Sequence, residues 1–164
     1  MIDAGVTVAL GSDSPSTHNC DIFLDMKAAI DQQRIHFKNA NILPPGKVLE
    51  MATIDGCKVL GLDKELGSVE AGKKADLITV DLFQPHLYPI DMLIYRLVYN
   101  ATGRDVVDVA VSGRLVMEDR KILTIDEARV LQRVQAVYER FVKRAGLAPL
   151  TKNSERFWGV SRSE

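Results

Sequence analysis

A short segment near the start of the chain holds most of the side chains that could do chemistry. Asp13 is the main candidate, because a carboxylate can bind a divalent metal and can accept a proton from metal-bound water. Ser14, His18 and Asn19 follow closely in a polar loop. Spacing alone favours a simpler interpretation, in which Asp13 caps a loop or binds nearby N–H groups.

The other potential metal ligands form no second motif. His18 and Cys20 could suggest a zinc pair, but two ligands do not make a site. An exposed loop histidine is the simpler interpretation of His18. His36 ends a predicted helix and His86 lies in a loop between prolines, so both are interpreted as surface or packing residues.

The segment that precedes Asp13 is typical of a strand buried on both faces. Residues 5–11 read GVTVALG, a nearly continuous apolar run bounded by glycines. Such a strand would place Asp13 at its C-terminal end, where α/β barrels have their active sites. An isolated strand would leave Val6, Val8 and Leu10 uncovered, at about 1.5–3 kcal/mol of lost burial each. We therefore expect something outside this sequence to complete it.

Helices are predicted between this segment and residue 62. Asn19 or Asp21 can cap the first of them. Its apolar residues fall roughly on one face, which would pack on a sheet: Ile22, Met26, Ala29, Ile30 and Phe37. Two short helices are predicted after Pro44-Pro45-Gly46, at 48–54 and 56–60.

Strands are predicted after residue 62, and a helix is predicted after the last of them. The strand predictions are a short strand and turn at 67–74, a strong strand at 75–81, and a hairpin of 106–111 and 114–117 around Ser112-Gly113. Thr124 and Glu127 have the spacing of a capping box. The predicted buried stripe of that helix is Leu131, Val134, Tyr138, Phe141 and Val142, with Gly146 as its stop.

Composition excludes several classes of protein. The 21 basic and 22 acidic residues give a formal charge of −1, so no global field points to nucleic acid or to an anionic membrane. No apolar run approaches the roughly 18 residues of a membrane span. The N-terminus lacks the features of a signal peptide, and two cysteines do not suggest a disulfide scaffold. A cytoplasmic protein is the expectation.

Three stretches, in order, resemble the amidohydrolase superfamily. GVTVALGSDSPSTHNCDIFLDMKAAIDQQR looks like the last barrel strand, loop and helix of its cytosine deaminase-like, adenosine-derivative deaminase-like and triazine hydrolase-like branch. GSVEAGKKADLITVD resembles the Gly-Ser-Ile-Glu-x-Gly-Lys-x-Ala-Asp-Leu signature beyond that barrel. VVDVAVSGRLVMEDRKIL looks like the closing hairpin.

The resemblance implies an α/β fold in three parts. Residues 1–62 would be the last βα unit of a (β/α)₈ barrel, 63–123 part of a small β-sandwich domain, and 124–164 a C-terminal helix and tail. The implied reaction is hydrolytic deamination of a purine, pyrimidine or triazine-type ring. Asp13 would ligate a divalent metal, zinc rather than iron, and shuttle protons. Ser14, His18 and Asn19 would border the substrate pocket, in a loop one residue shorter than usual.

The family's remaining metal ligands and its catalytic glutamate would all precede this segment. We therefore expect a C-terminal fragment that is inactive alone, need not bind the metal by itself, and forms homo-oligomers through unpaired strand edges. Its expected partner is a small heterocyclic substrate, with neither nucleic acid nor membrane. Two alternatives stay open: a non-catalytic remnant that folds by oligomerising, and a subunit that completes a barrel supplied by a separate polypeptide.

Overall fold

The structure, a computed structural model, describes residues 1–13 and 20–147. The chain divides into two units, Met1–Leu123 and Thr124–Glu164. The first unit contains helices α1 (Ile22–Phe37), α2 (Pro45–Met51), α3 (Ile54–Val59) and α4 (Leu93–Tyr99), and strands β1 (Leu77–Val80), β2 (Val106–Val111), β3 (Arg114–Glu118) and β4 (Lys121–Ile122). Helix α5 (Glu127–Arg144) lies in the second. The boundary at residue 62 remains a prediction.

The first unit is a mixed α/β arrangement with one small antiparallel sheet, in the order β1-β2-β3-β4. The predicted hairpin is confirmed, because β2 and β3 pair directly across Ser112 and Gly113. Both turn residues have positive φ, 50° and 77°, which matches the twist of the flanking strands. The predicted strand at 75–81 is confirmed as β1, which pairs with β2.

The core of this unit lies between helices α1, α2 and α4 and the start of β2. Asp21 caps α1 as predicted, since its side chain accepts a hydrogen bond from Phe23 N at 3.0 Å. The cap fixes the start of the helix, so that one face points inward. The buried apolar residues are Phe23, Met26, Ile30, Val48, Leu87, Val98, Ala101 and Val106.

The strand predicted at residues 5–11 is wrong for this chain. Within the described ranges, residues 6–13 run without ladder hydrogen bonds to a neighbouring strand, and the side chain of Val6 is 51% exposed. A strand requires a partner for its N–H and C=O groups. The apolar pattern is present, but among the described residues nothing pairs with it.

Two other local predictions are wrong in part. Phe37, predicted on the buried face of α1, is 55% exposed at the end of that helix. Residues 67–74 form turns rather than a strand and a turn. The two short helices predicted at 48–54 and 56–60 are confirmed, as α2 and α3, with bounds shifted by a few residues.

Helix α5 is capped differently from the prediction. Asp126, not Thr124, is its N-cap, because the Asp126 side chain accepts from Arg129 N at 3.0 Å. The predicted buried stripe is also wrong, since its members Leu131 and Phe141 are largely exposed. Sequence periodicity shows that a helix has an apolar face, but not that a surface covers it. Among the described residues, no helix has the length and apolarity needed to cross a membrane.

A buried ion network joins α2 to α3. The Asp55 side chain is 2% exposed and accepts from Lys47 Nζ at 2.5 Å and from Lys58 Nζ at 2.8 Å. Hydrogen bonds from Lys47 and Lys58 hold the pKa of the Asp55 carboxyl below its ordinary value, against the opposing effect of burial. The ionised carboxylate therefore stabilises the folded state.

The Asp55 network predicts a pH-dependent stability. Because the folded-state pKa is lowered, the contribution of Asp55 is complete well above pH ~4, the ordinary pKa of aspartate, and is lost as the pH falls through the folded-state pKa. Urea denaturation at pH 6 and pH 3 should show that Asp55→Asn is clearly less stable than the native chain at pH 6. The difference in the free energy of unfolding between the two proteins should be smaller at pH 3. An equal difference at both pH values would contradict the prediction.

Candidate functional site

Asp13 lies at the end of the extended segment, with its side chain exposed. Its φ of 56° is in the left-handed region, which aspartate adopts more readily than most residues other than glycine. Asp13 is thus a solvent-accessible carboxylate in a backbone conformation that its residue type tolerates.

Two helices hold the segment that leads to Asp13. Leu10 N donates to Met51 O at 3.1 Å, which ties the segment to the end of α2. The Ser12 hydroxyl donates to the Asp25 carboxylate, which lies on α1. The side chain of Leu10 also packs against the core. These contacts position the residues directly before Asp13.

The start of α1 is tied to the loop before β2 as well as to its own first turn. Asp21, besides capping α1, accepts a hydrogen bond from Gly103 N at 2.8 Å. This contact joins residues far apart in the sequence and fixes α1 against the part of the unit that holds the sheet. The helix that positions Ser12 is therefore anchored at its beginning.

The other predicted site residues cannot be placed. Ser14, His18 and Asn19 lie outside the described residues, so their predicted substrate contacts stay predictions. Cys20 is exposed, just before the α1 cap. Of the predicted site residues, the structure describes Asp13, and its predicted role stays a prediction.

A second polar cluster was not predicted. The buried Asp105 side chain accepts from Thr102 N at 2.8 Å, and its Oδ2 lies 3.0 Å from His86 Nε2. Burial alone would raise the pKa of the Asp105 carboxyl, but the hydrogen bonds from His86 and Thr102 outweigh it and keep that pKa below its ordinary value. Thr102 and Asp105 form a capping box at the short 3₁₀ helix Gly103–Asp105, and their spacing is a sequence signal for it. The contact with His86 has no local sequence signal.

The described residues of the first unit line a polar groove and a more apolar cavity. The open groove, of about 630 Å³, surrounds His86 and Asp105 and also includes Arg104 and Arg120. The more apolar cavity, of about 720 Å³, lies beside the extended segment, where Val8 and Leu10 line it. Asp13 is not among the residues that line either of them.

The described residues do not by themselves fit a zinc site. Zinc in proteins takes three or four side-chain ligands, mostly His, Cys, Asp or Glu. In ranges 1–13 and 20–147, no three residues of these types gather closely enough to hold a metal ion. Asp13 can supply one carboxylate ligand, and a complete site needs others.

Comparisons with known sequences give consistent matches. The sequence profile of the amidohydrolase family matches residues 1–116. The chain is 39% identical over 145 residues to the 5-methylthioadenosine/S-adenosylhomocysteine deaminase of Thermoanaerobacter pseudethanolicus, an alignment that covers 88% of this chain and 34% of that protein. It is 40% identical over 146 residues to the 5'-deoxyadenosine deaminase of Methanosarcina acetivorans, covering 88% and 33% respectively.

A solved structure matches the fold. The crystal structure of an adenosine deaminase from Xanthomonas campestris with bound zinc superposes with a TM-score of 0.82 at 28% sequence identity. The match covers 85% of this chain and 32% of that one. The chain therefore spans about a third of the length of the proteins that it matches.

Proposed function

The chain belongs to the amidohydrolase family, and from this membership we propose that it is the C-terminal part of a hydrolase that deaminates a purine-type substrate. The observation that carries the proposal is the 39–40% identity to deaminases over about nine tenths of the chain. Both relatives are named for adenosine derivatives, which favours a purine over a pyrimidine or triazine ring. The substrate would be a small molecule, and the enzyme would act in the cytoplasm.

We propose that the first unit contains the last βα element of a (β/α)₈ barrel followed by part of a β-sandwich domain. The order of the elements supports this: an extended segment that ends in a carboxylate, a covering helix α1, and then an antiparallel sheet. Residues 6–13 would become a ladder strand once neighbouring strands cover Val6 and Val8. The apolar cavity beside them would be filled in the same step.

Asp13 is the proposed catalytic residue. Its exposed carboxylate could accept a proton from the attacking water and return it to the leaving amine. Both transfers need a carboxylate held in place at the reacting atoms, which agrees with its accessible side chain and with the contacts that hold Leu10 and Ser12 before it. Ser14, His18 and Asn19 are proposed to border the substrate.

A divalent metal, zinc rather than iron, is part of the proposal for the complete enzyme. The zinc in the Xanthomonas neighbour supports this choice. Asp13 would contribute one ligand, and the remaining ligands would come from polypeptide outside this sequence. The 164-residue chain alone is then expected to be inactive.

The decisive experiment is a chimera in which this chain replaces the matching third of the Thermoanaerobacter deaminase. With 5-methylthioadenosine as substrate, ammonia release should fall about 10²- to 10⁴-fold in Asp13→Asn, because the amide cannot accept the proton. Asp31→Ala, an exposed aspartate on α1, is the matched control and should keep its activity.

Two results would contradict this proposal. The first is an Asp13→Asn chimera with unchanged kcat, which would remove Asp13 from the reaction. The second is deamination by the isolated chain with one metal ion bound per chain. That result would show that this segment needs no further ligands.

One observation favours an alternative, a non-catalytic module that forms homo-oligomers through strand edges. Within the described ranges the extended segment has no pairing partner, and Val6 is exposed. Open strand edges can pair between copies of a chain. Light scattering on the purified chain tests the module, because a monomer would exclude it. A stable oligomer favours the module only together with an inactive chimera, since the catalytic proposal also expects the isolated chain to be inactive and oligomeric.

A further inference from the structure

Asp13 lies at the end of a segment that contacts with α1 and α2 hold in place. Its φ of 56° lies in the left-handed region, which aspartate adopts more readily than most residues other than glycine, and Gly11 shortly before it adds flexibility to the chain. The backbone preferences of these residues therefore do not fix the position of Asp13. The contacts just before Asp13 therefore decide how well its carboxylate is placed.

The last contact before Asp13 is the hydrogen bond from the Ser12 hydroxyl to the Asp25 carboxylate. Hydrogen bonds to an ionised acceptor are stronger than those between neutral groups. Both side chains are partly buried, which limits competition from water. The bond therefore restrains the backbone at Ser12, one peptide unit from Asp13.

Asp25 is itself held on a rigid element. It lies in the first turn of α1, beside Met26, whose side chain is only 1% exposed. Asp25 N also donates to Asp21 O at 3.1 Å, within the capped turn. Because core packing beside it and the helix cap fix Asp25, its carboxylate can hold the Ser12 side chain in one position.

We infer that Asp25 is a positioning residue, which holds Ser12 and through it fixes the backbone of Asp13. The functional importance of this arrangement rests on the proposed role of Asp13. The claim that Asp25 holds Ser12 and Asp13 in place does not rest on that role, because it concerns only the order of the segment. Asp25 acts through Ser12 and touches neither substrate nor any reacting atom.

The test is ¹⁵N relaxation on the 164-residue chain and its variants. In the native chain the amide order parameter of Asp13 should be near the rigid value of about 0.85, and it should fall below about 0.6 in Asp25→Ala and in Ser12→Ala. The double variant should lose no more order than either single one, because both changes remove the same bond.

Two further variants separate positioning from general stabilisation. Asp25→Asn should restore the order at Asp13, because the amide oxygen can still accept from the Ser12 hydroxyl. Asp31→Ala removes an exposed carboxylate from the same helix and should leave Asp13 unchanged. Should Asp25→Ala fail to fold, Ser12→Ala decides the question, since it removes a single hydroxyl.

Either of two results would overturn the inference. One is an Asp13 order parameter below about 0.6 in the native chain, and the other is an unchanged value in both Ser12→Ala and Asp25→Ala. A catalytically irrelevant Asp13 would be detected separately, by an active Asp13→Asn chimera. The relaxation result would remain valid in that case, so the two failures are distinguishable.

Discussion

Gly67→Ala is expected to lower the free energy of unfolding by about 2–5 kcal/mol, from the sum of backbone strain and overpacking. Gly67 has a φ of +91°, and a Cβ at this position would lie 2.9 Å from both Ile54 Cα and Cys57 Sγ. The Cys57 side chain could move, but Ile54 Cα belongs to the backbone of α3. The turn and the helix would have to separate. Urea denaturation of the purified chain measures this loss.

Gly72→Ala is the matched control for Gly67→Ala. Gly72 has a similar φ of +94°, but a Cβ there would have no heavy atom within 4 Å. Only the left-handed conformation would be penalised, at about 1–2 kcal/mol. The difference between the two variants therefore measures the contact with α3. Equal losses would show that this contact is unimportant.

Ile30→Ala is expected to reduce the free energy of unfolding by a comparable amount, about 2–5 kcal/mol. The Ile30 side chain is fully buried, at 0% exposure, among the core residues of α1, α2 and α4. Its truncation removes buried methyl and methylene groups and leaves a cavity that the neighbouring helices fill only in part. The midpoint of thermal or urea unfolding reports the change.

The same helix contains a control for this prediction. Ile35 is 76% exposed, so Ile35→Ala should change the free energy of unfolding by no more than about 0.5 kcal/mol. The two substitutions are chemically identical and lie on one helix, so helix propensity affects both equally. A loss of unfolding free energy in Ile35→Ala as large as that in Ile30→Ala would contradict the assignment of Ile30, rather than Ile35, to the apolar core.

Local signals in the sequence predicted several elements correctly. Asp21 caps α1, and Ser112 with Gly113 turns the β2–β3 hairpin, because a cap or a tight turn depends on a few adjacent residues. The resemblance to the amidohydrolase superfamily is confirmed by the family match. It also identified the signature that begins at Gly67, although the structure was needed to show why glycine is required there, through its φ of +91° and its contact with α3.

Predictions that depended on a distant partner failed or remained open. Residues 5–11 have the pattern of a buried strand, yet strand pairing needs a neighbour that the described residues do not include. The apolar stripe of α5 is real, but no periodicity tells whether another surface covers it. Thr124 matched a capping box, but Asp126 is the cap, because the helix begins two residues later than that motif predicts and the Asp126 side chain accepts from Arg129 N.

The amino-acid sequence alone indicated the family, the Asp21 cap and the Ser112-Gly113 turn, and it singled out Asp13 as the carboxylate with a candidate role. Which distant side chains meet became evident in the folded chain: Ser12 with Asp25, His86 with Asp105, and Asp55 with its two lysines. The reason is that these interactions differ in how far apart in the sequence their partners lie. Dihedral preferences and caps act within a few residues, whereas burial and hydrogen bonds between remote side chains exist only after the chain has packed.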